Sequence, residues 1–336
     1  MADGQAKVPV AVVGAGNMGR HHARNYHDLP DAELRAVVDV DGARAQEVAD
    51  QFGVPAFTDV ETMLELVPEL VAASVAVPTT AHSRSAGTLI EAGKHVLVEK
   101  PIASTIEETD RLIRLAEKHS VVLAVGHVER FNPVVRELKR LIASGRMGSV
   151  LSLIARRVGV MPPQVKDANV IVDLAVHDID IFRYLLDGAE PDELYCNAGQ
   201  AVATDRFDFA EILLRCGPTA CFLQVNWLTP VKIRSLAVTG TDGYAELEYV
   251  TQRLDFYPAR TPGATQSFAD VEALSEQEPE HIDFRHEEPL TRELKEFLKA
   301  ARGEPAETVS GSEARRTMEV AARLVELAER RALSRL

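Results

Sequence analysis

A glycine-rich turn near the N-terminus constrains the fold of this chain more than any other feature of its sequence. The apolar run VPVAVV is followed by Gly14, Gly16 and Gly19, in the spacing G-x-G-x-x-G, and then by a helix-forming stretch. Between a strand and a helix, the first glycine makes a tight turn, the second admits a pyrophosphate and the third lets the helix pack on the strand. Free N–H groups and the positive end of the helix dipole then face the phosphates. We expect Asn17 and Met18, inside the motif, to join these contacts.

The second strand ends in an acidic residue at the position that such sites use. Asp39 closes the run LRAVVD and lies 20 residues after Gly19 (39 − 19). A carboxylate there accepts hydrogen bonds from both ribose hydroxyls and repels a 2′-phosphate, so the sequence favours NAD over NADP. Arg44 is close enough in sequence to keep NADP as the alternative.

Strand and helix patterns alternate from the glycine turn to about residue 127. The strand-like runs are 8–13, 34–41, 70–78, 95–101 and 121–127. The helical stretches between them are 17–28, 42–52, 82–93 and 105–120. Such alternation predicts a parallel sheet with helices on both faces, which is a doubly wound α/β domain. Ser104, with Glu107 three residues later, is the expected N-cap of the last helix.

The pattern changes after residue 127. Helices are predicted at 133–145 and 170–188, and strands near 149–158, 192–203, 206–216, 219–228, 233–240, 243–249 and 252–257. Few helices separate these strands, so we predict an α+β domain with a large, mostly antiparallel open sheet. A long loop over 258–289 and helices at 290–302 and 312–334 end the chain. The predicted domains are 1–126, for dinucleotide binding, and 127–336, for substrate binding and oligomerisation.

Composition and charge exclude several classes of function. The formal net charge is −14, which disfavours nucleic acid and anionic membranes as partners. No apolar run approaches the roughly 20 residues of a membrane helix, and the segment MADGQAK has no apolar signal core. Cys196, Cys216 and Cys221 are scattered without metal-ligand spacing. We therefore expect no metal site, reduced thiols and a cytoplasmic location.

Three longer segments resemble a known family. The segments VVGAGNMGRHHARNY, VAVPTTAHSRSAGTLIEAGKHVLVEKPIAST and VGHVERFNP are similar to the glucose-fructose oxidoreductase / inositol dehydrogenase family, Gfo/Idh/MocA. The resemblance implies a nicotinamide-dependent oxidoreductase with an N-terminal Rossmann domain and a C-terminal α+β domain. It also implies that Val77, Pro78 and Thr79 border the cofactor and that Glu99 and Lys100 lie beside its nicotinamide. The segments GHVERFNP, ARRVG, DLAVHDID and WLTPVKIR look most like the branch that oxidises the C3 hydroxyl of UDP-N-acetylglucosamine to a ketone.

The resemblance also points to a catalytic pair in the helix predicted at 170–188. Asp173 and His177 are four residues apart and would project from one helix face, and in the family such a pair enters the active site. An alcohol needs a positioned base to lose its proton as its carbon loses a hydride, and His177, oriented by Asp173, suits that role. Lys100 would stabilise the developing alkoxide. Residues 169–172, NVIV, replace a glycine-rich stretch that many relatives carry.

Further polar residues are candidates for the substrate site. His127, Glu129 and Arg130 follow the last strand of the first domain, at the sheet edge where parallel sheets bind ligands. Only one of Arg156 and Arg157 can face inward on an alternating strand, and we expect Arg157 to meet a substrate diphosphate.

Several aromatic residues have a less specific interpretation. Trp227 is either a core aromatic or a wall of the site. His21, His22 and His27 resemble a metal cluster by composition alone, but they have no evident carboxylate partners. We interpret these histidines as packed or solvated side chains.

The sequence leaves more than one function open. The first hypothesis is an NAD-dependent dehydrogenase of UDP-N-acetylglucosamine or a related UDP-sugar. The second is the same chemistry on an inositol or a free sugar, which needs no basic pocket for a diphosphate. A non-catalytic NAD-sensing regulator ranks below both hypotheses, because such a protein does not need Lys100, Asp173 and His177 together. A protein that serves only in structural or interaction roles ranks last. The open sheet would expose a broad face, so we expect a homodimer or homotetramer.

Overall fold

The chain divides by its internal contacts into two units. The computed structural model describes residues 6–161, 168–203, 205–259 and 278–333. Among the described residues, those within 1–128 and 288–318 form the first unit, and those within 129–287 and 319–336 form the second. The sequence pattern predicts that 288–318 belong to the second domain, whereas the structure groups this segment with the first unit. Much of the loop expected over 258–289 lies outside the described residues.

The first unit contains a parallel sheet with the strand order of a doubly wound domain. Within the described residues its strands are β1 Val8–Val13, β2 Ala32–Val38, β3 Ala56–Phe57, β4 Ala72–Val75, β5 His95–Glu99 and β6 Leu123–Gly126. They are arranged β3-β2-β1-β4-β5-β6, and every pair is parallel. The predicted α/β class is therefore confirmed. The order reverses between β1 and β4, and such switch points are where sheets of this type bind ligands.

Helices cover both faces of this sheet. They are α1 Asn17–Asp28, α2 Gly42–Phe52, α3 Val60–Leu66, α4 Thr79–Glu91 and α5 Ile106–His119, followed late in the chain by α8 Pro289–Ala301. Leu290, Leu294 and Phe297 of α8 are buried in the same core as Val10 and Tyr26. This apolar face explains why the segment from 288 onwards belongs to the first unit. The short elements β3 and α3 were not predicted, since neither is long enough to show a clear periodicity.

The start of α5 differs by one residue from the prediction. The N-cap is Thr105, whose hydroxyl accepts the N–H of Glu108 at 3.2 Å. The backbone N–H of Ser104 instead donates to the Glu108 carboxylate at 3.0 Å. Two adjacent hydroxyl residues precede this helix, and sequence spacing alone did not distinguish which of them would be the cap.

The second unit contains a large, mostly antiparallel sheet, as predicted. Its described strands are β7 Val150–Val160, β8 Glu193–Gly199, β9 Phe209–Cys216, β10 Thr219–Asn226, β11 Leu228–Gly240, β12 Gly243–Glu248, β13 Arg253–Pro258 and β14 Glu280–His281. Their order is β14-β13-β12-β11-β7-β10-β9-β8, and of these pairs only β7 with β10 is parallel. Helices α6 Pro133–Ala143, α7 Val176–Leu185 and the later part of α9 Gly311–Leu333 contribute to the core on one face. Among the described residues, no helix has both the length and the apolar character that a membrane span requires.

The opposite face of this sheet carries a row of apolar side chains. Strand register aligns Tyr195 with Leu213, Leu213 with Phe222, Phe222 with Ile154, and Ile154 with Ala237. Tyr195, Phe222 and Ile154 are each more than 40% exposed, at 47%, 43% and 47%. The row crosses five adjacent strands, so it forms a continuous apolar surface.

Candidate functional site

The three glycines of the turn occupy their positions for different physical reasons. Gly14 has φ +101°, and a Cβ there would lie 2.5 Å from the carbonyl oxygen of Ala76. A Cβ on Gly19 would lie 1.6 Å from the carbonyl oxygen of Gly14. Both glycines are therefore required by the packing of the protein itself. At Gly16 an added Cβ would meet no described atom within 4 Å, so this glycine leaves open space in front of the first turn of α1. A dinucleotide pyrophosphate fits this arrangement.

Asp39 is held rigidly at the end of β2. Its Oδ2 accepts the N–H of Ala15 at 2.8 Å, and its Oδ1 accepts the N–H of Asp41 at 2.9 Å. The first bond connects the carboxylate directly to the glycine turn. Nε of Arg44 lies 3.8 Å from Oδ1 of Asp39, while Nη2 of Arg44 donates to Asp41 at 3.1 Å. Arg44 thus neighbours Asp39 in space, but its closest carboxylate contact is with Asp41.

A cavity of about 410 Å³ opens beside Asp39. It is within the usual size of small-ligand pockets, roughly 300–1,000 Å³. Its lining includes Asp39, Val77 and Pro78, which are predicted cofactor contacts, and also Arg44. The lining residues that the sequence did not predict include Thr58, Asp59, Thr80, Arg84 and Ser85. Residues 58 and 59 follow the two-residue strand β3, which is too short to show a periodicity, so the sequence offered no signal for them.

The other predicted cofactor contacts lie at helix starts. Asn17 and Met18 begin α1 and Thr79 begins α4, and none of the three lines this cavity. Helix α4 also contains a buried histidine that the sequence did not indicate as part of the site. The side chain of His82 is buried, with Nε2 2.9 Å from the Val77 carbonyl oxygen and Nδ1 2.8 Å from the Pro101 carbonyl oxygen. His82 therefore links the segment after β4 to the segment after β5.

Glu99 and Lys100 end strand β5, and Glu99 has an unexpected partner. Nε2 of the fully buried His22 lies 2.9 Å from Oε1 of Glu99. Oε2 of Glu99 accepts the N–H of Lys100 at 3.3 Å. Burial raises the pKa of Glu99, but the hydrogen bond and charge of His22, with the charge and N–H of Lys100, together lower it below its ordinary value. The interpretation that His22 lacks a carboxylate partner was wrong, because the two residues are 77 positions apart in sequence.

In the second unit, Asp173 and His177 lie on one helical segment, as predicted. The segment begins with a π-helical turn, Ile171–Ala175, in which the N–H of Val176 donates to the carbonyl of Ile171 five residues earlier. Helix α7 continues from Val176. Asp173 and His177 are both partly exposed, whereas residues 174–176 between them are buried. π-Helical turns of this kind occur often at functional sites.

The residues that replace the glycine-rich stretch have a defined role. Oδ1 of Asn169 accepts the N–H groups of Ile171 and Val172, at 2.9 and 3.1 Å. It therefore caps the N–H groups that begin the π-helical turn, as a helix N-cap does.

Arg157 faces inward, as expected, but its partners are carboxylates of the protein. Nε and Nη2 donate to Asp178 at 2.6 and 3.2 Å, and Nη1 donates to Glu129 at 2.9 Å. Burial lowers the pKa of Arg157, but the two carboxylates raise it by more, so the guanidinium remains charged. Because these contacts occupy the planar fork, we assign Arg157 and Glu129 a structural role and do not retain them as substrate ligands.

Arg130 is also bound within the second unit. Its Nε and Nη2 donate to Asp180 at 2.6 and 2.7 Å, and both side chains are buried. It was expected to line a ligand cleft, and this bidentate pair explains its position without a ligand. His127, which follows β6 in the first unit, is also buried.

The remaining aromatic candidates lie in ordinary surroundings. Trp227 is buried in the apolar core of the second unit, in agreement with its interpretation as a core aromatic. His21 and His27 are exposed, and the ring of His27 lies 5.1 Å from that of Phe52. Over the described ranges, no group of three or more His, Cys, Asp or Glu side chains could hold a metal ion.

The sheet order, the glycine turn and the acidic end of β2 together are those of a dinucleotide-binding Rossmann domain. The chain belongs to the Gfo/Idh/MocA family. Residues 8–127 match the model described as an oxidoreductase family with an NAD-binding Rossmann fold. Residues 135–246 match the Gfo/Idh/MocA C-terminal domain.

Several known proteins are similar to this chain. The UDP-N-acetylglucosamine 3-dehydrogenase of Acidithiobacillus ferrooxidans is 31% identical over 86% of this chain and 87% of its own. Its solved structure has a TM-score of 0.83 at 29% identity and covers 97% of this chain and 99% of its own. The myo-inositol 2-dehydrogenase of Thermotoga maritima is 30% identical over 57% of this chain and 59% of its own. GenD2 from gentamicin A biosynthesis, solved in complex with NAD, shares the fold at 23% identity, with a TM-score of 0.82 and coverage of 97% and 95%.

Proposed function

We propose that this oxidoreductase uses NAD to oxidise a secondary hydroxyl of a UDP-sugar to a ketone, with the C3 hydroxyl of UDP-N-acetylglucosamine as the first candidate. One observation carries the proposal. Similarity to the UDP-N-acetylglucosamine 3-dehydrogenase covers 86% of the chain, whereas similarity to the Thermotoga maritima inositol dehydrogenase covers 57%. The similarity to the UDP-sugar enzyme therefore extends over more of the chain than the similarity to the inositol dehydrogenase.

The preference for NAD over NADP rests on Asp39. Its carboxylate is fixed by two backbone N–H groups beside the 410 Å³ cavity, where it would accept hydrogen bonds from ribose hydroxyls and repel a 2′-phosphate. Arg44 is the residue through which NADP would be accommodated, and its closer contact with Asp41 weakens that alternative. The groups that would hold the cofactor are the backbone of 14–19, including Asn17 and Met18, with Asp39, the segment 77–79 and the segment 99–100.

The proposed chemistry divides between three side chains. An NAD held by the groups named above would supply the acceptor for the hydride that leaves the carbinol carbon of the substrate. His177 takes the hydroxyl proton, which an unactivated alcohol does not release near neutral pH. Asp173, one helical turn away, orients the imidazole. The ammonium of Lys100 stabilises the oxygen as negative charge develops on it. His127, which follows β6, remains a candidate for contact with the sugar.

The alternative function is oxidation of an inositol or a free sugar. It is supported by identities of 30–37% to inositol dehydrogenases over about half of the chain. The non-catalytic regulator ranks lower, since the chain has retained Lys100, Asp173 and His177 together.

We also propose that a second copy of the chain covers the apolar row on the open sheet, giving a homodimer or a homotetramer. The row is formed by Tyr195, Leu213, Phe222, Ile154 and Ala237 on adjacent strands. Arg156 and Gln224, which border the row, donate and accept a hydrogen bond at 3.3 Å. An apolar centre with polar neighbours is typical of subunit interfaces.

The test is a spectrophotometric screen of cofactor reduction. The purified protein is mixed with NAD or NADP and with UDP-N-acetylglucosamine, other UDP-sugars, free hexoses and inositols, and absorbance of the reduced cofactor is followed. Turnover with a UDP-sugar and NAD, inhibited competitively by UDP, is the expected result. Turnover confined to free sugars or inositols supports the alternative, and no turnover of any alcohol contradicts both.

A further inference from the structure

A second arginine lies beside Arg157 on the same face of the sheet. Strand register pairs Arg234 of β11 directly with Arg157 of β7, and paired residues project to the same side. Nη1 of Arg234 donates to the carbonyl oxygens of Val158 and Ile233, at 2.6 and 2.8 Å. Its Nη1 and Nη2 lie 3.8 and 3.9 Å from the point where a side chain on Gly159 would begin. The guanidinium is therefore anchored at one nitrogen and lies beside Gly159.

The other edge of this guanidinium has no partner within the described residues. In Arg130 and in Arg157, the edge formed by Nε and Nη2 binds a carboxylate through two hydrogen bonds. The same edge of Arg234 makes no hydrogen bond or ion pair to any part of the chain that the structure describes. The nearby carboxylates of Asp178 and Glu129 are already bound to Arg157.

The charge of Arg234 is correspondingly under-compensated. Burial lowers its pKa most, and the neighbouring cation Arg157 lowers it further. Asp178, Glu129 and Asp173 act in the opposite direction, but the net pKa stays below that of an ordinary arginine. A half-buried cation that carries this cost gains free energy when an anion binds to its open edge.

We propose that Arg234 binds the anionic group of the substrate, a phosphate oxygen pair of a nucleoside diphosphate sugar, through its Nε and Nη2. The inference rests on the proposed function and deepens it, because it names the residue that separates nucleotide sugars from neutral sugars. The charge of Asp173 raises the pKa of Arg234, and Asp173 belongs to the helical segment that carries His177. The anion contact is therefore on the same unit as the proposed base.

The test compares three variants with the wild type. Arg234→Gln removes the charge, Arg234→Lys retains a point charge without the planar fork, and Arg140→Gln removes an exposed arginine of the same unit that pairs with Glu137. Calorimetry measures binding of UDP and of inorganic pyrophosphate, and steady-state kinetics measures KM and kcat. Cofactor fluorescence and thermal unfolding report whether each variant is folded and binds NAD.

We expect Arg234→Gln to weaken UDP binding and to raise KM for the UDP-sugar by about 10- to 150-fold, the range for hydrogen bonds to a charged group. Arg234→Lys recovers part of this loss, Arg140→Gln changes nothing, and NAD binding is the same in all four proteins. Equal UDP affinity in wild type and a folded Arg234→Gln overturns the inference, as does a wild type that binds neither UDP nor pyrophosphate. If UDP binding depends on Arg234 but no UDP-sugar is oxidised, the inference stands and the proposed reaction fails.

Discussion

His22 in helix α1 holds the carboxylate of Glu99 at the end of strand β5, with 2.9 Å between Nε2 and Oε1. Both groups are buried, and Gly126 on the neighbouring strand leaves the room that the carboxylate occupies, since a Cβ there would lie 3.0 Å from Oε2. The contact joins the helix that begins at the glycine turn to the residue preceding Lys100. We infer that it fixes the backbone from which the Lys100 side chain projects.

Replacing His22 should destabilise the protein in a pH-dependent way. His22→Asn leaves a buried carboxylate without this partner, and we expect a loss of about 2 kcal/mol in the free energy of unfolding near pH 6. The folded pKa of Glu99 is lowered, so its stabilising contribution is present above the unfolded pKa and is lost as pH falls through the folded pKa. Denaturant unfolding between pH 3 and 6 should therefore show the difference between the two proteins narrowing toward pH 3. His27→Asn, on the exposed face of the same helix, is the control, and a constant difference across this range would contradict the account.

Two glycines of the same motif should respond differently to alanine. Gly19→Ala places a Cβ 1.6 Å from the carbonyl oxygen of Gly14, so the strand-to-helix packing must shift and the melting temperature should fall sharply. Gly16→Ala meets no described atom within 4 Å, so its stability should stay within about 1 kcal/mol of the wild type. Its NAD affinity should nevertheless fall by about tenfold or more, because the new methyl group enters the proposed pyrophosphate space. Thermal unfolding and cofactor fluorescence measure the two effects, and normal NAD binding by Gly16→Ala would contradict the assignment.

Neighbouring arginines on β7 should differ in their contribution to stability. Arg157→Met leaves the buried carboxylate of Asp178 without its cation, and breaking such a pair costs about 3–5 kcal/mol. Arg156 is exposed on the opposite face and donates a 3.3 Å hydrogen bond to Gln224, so Arg156→Met should cost no more than about 0.5 kcal/mol. Chemical denaturation of both variants tests the contrast. Comparable losses would show that Arg157 is not the structural centre that its contacts suggest.

The proposed acid–base roles predict distinct kinetic defects. His177→Ala should lower kcat by about 10²–10⁴, the usual contribution of a general base. Lys100→Ala should lower kcat by a similar factor, because the alkoxide loses its neighbouring charge. His21→Ala, an exposed histidine of α1, should leave kcat unchanged. Near-normal turnover in both His177→Ala and Lys100→Ala would exclude the mechanism.

The apolar row on the open sheet predicts how the assembly can be disrupted. Ile154→Lys and Phe222→Lys place charges at its centre, where the two residues are register partners on adjacent strands. Light scattering after size exclusion should show a smaller species for either variant than for the wild type. Leu66→Lys, at an exposed apolar position of the first unit, should leave the mass unchanged. A monomeric wild type would refute the proposal directly.

Features governed by neighbours in sequence were predicted well. The glycine spacing, the alternation of strands with helices and the position of Asp39 all follow from backbone geometry over a few residues. The same holds for the strands between 192 and 258, whose alternating or apolar runs lie close to the observed β8–β13. The one-residue error at Thr105 has the same local origin, since two hydroxyl residues compete for one cap.

The sequence by itself thus determined the fold class, the dinucleotide turn and the candidate residues of the site. Only the tertiary structure decided which of those residues are bound to one another. Glu99 meets His22 across 77 positions, Arg157 meets Asp178 and Glu129, and Arg234 is left with an open edge. It also decided that residues 288–318 belong with the first unit. The physical reason is that local geometry repeats with short periods that can be read along the chain, whereas the pairing of buried charges depends on which distant segments the core brings together.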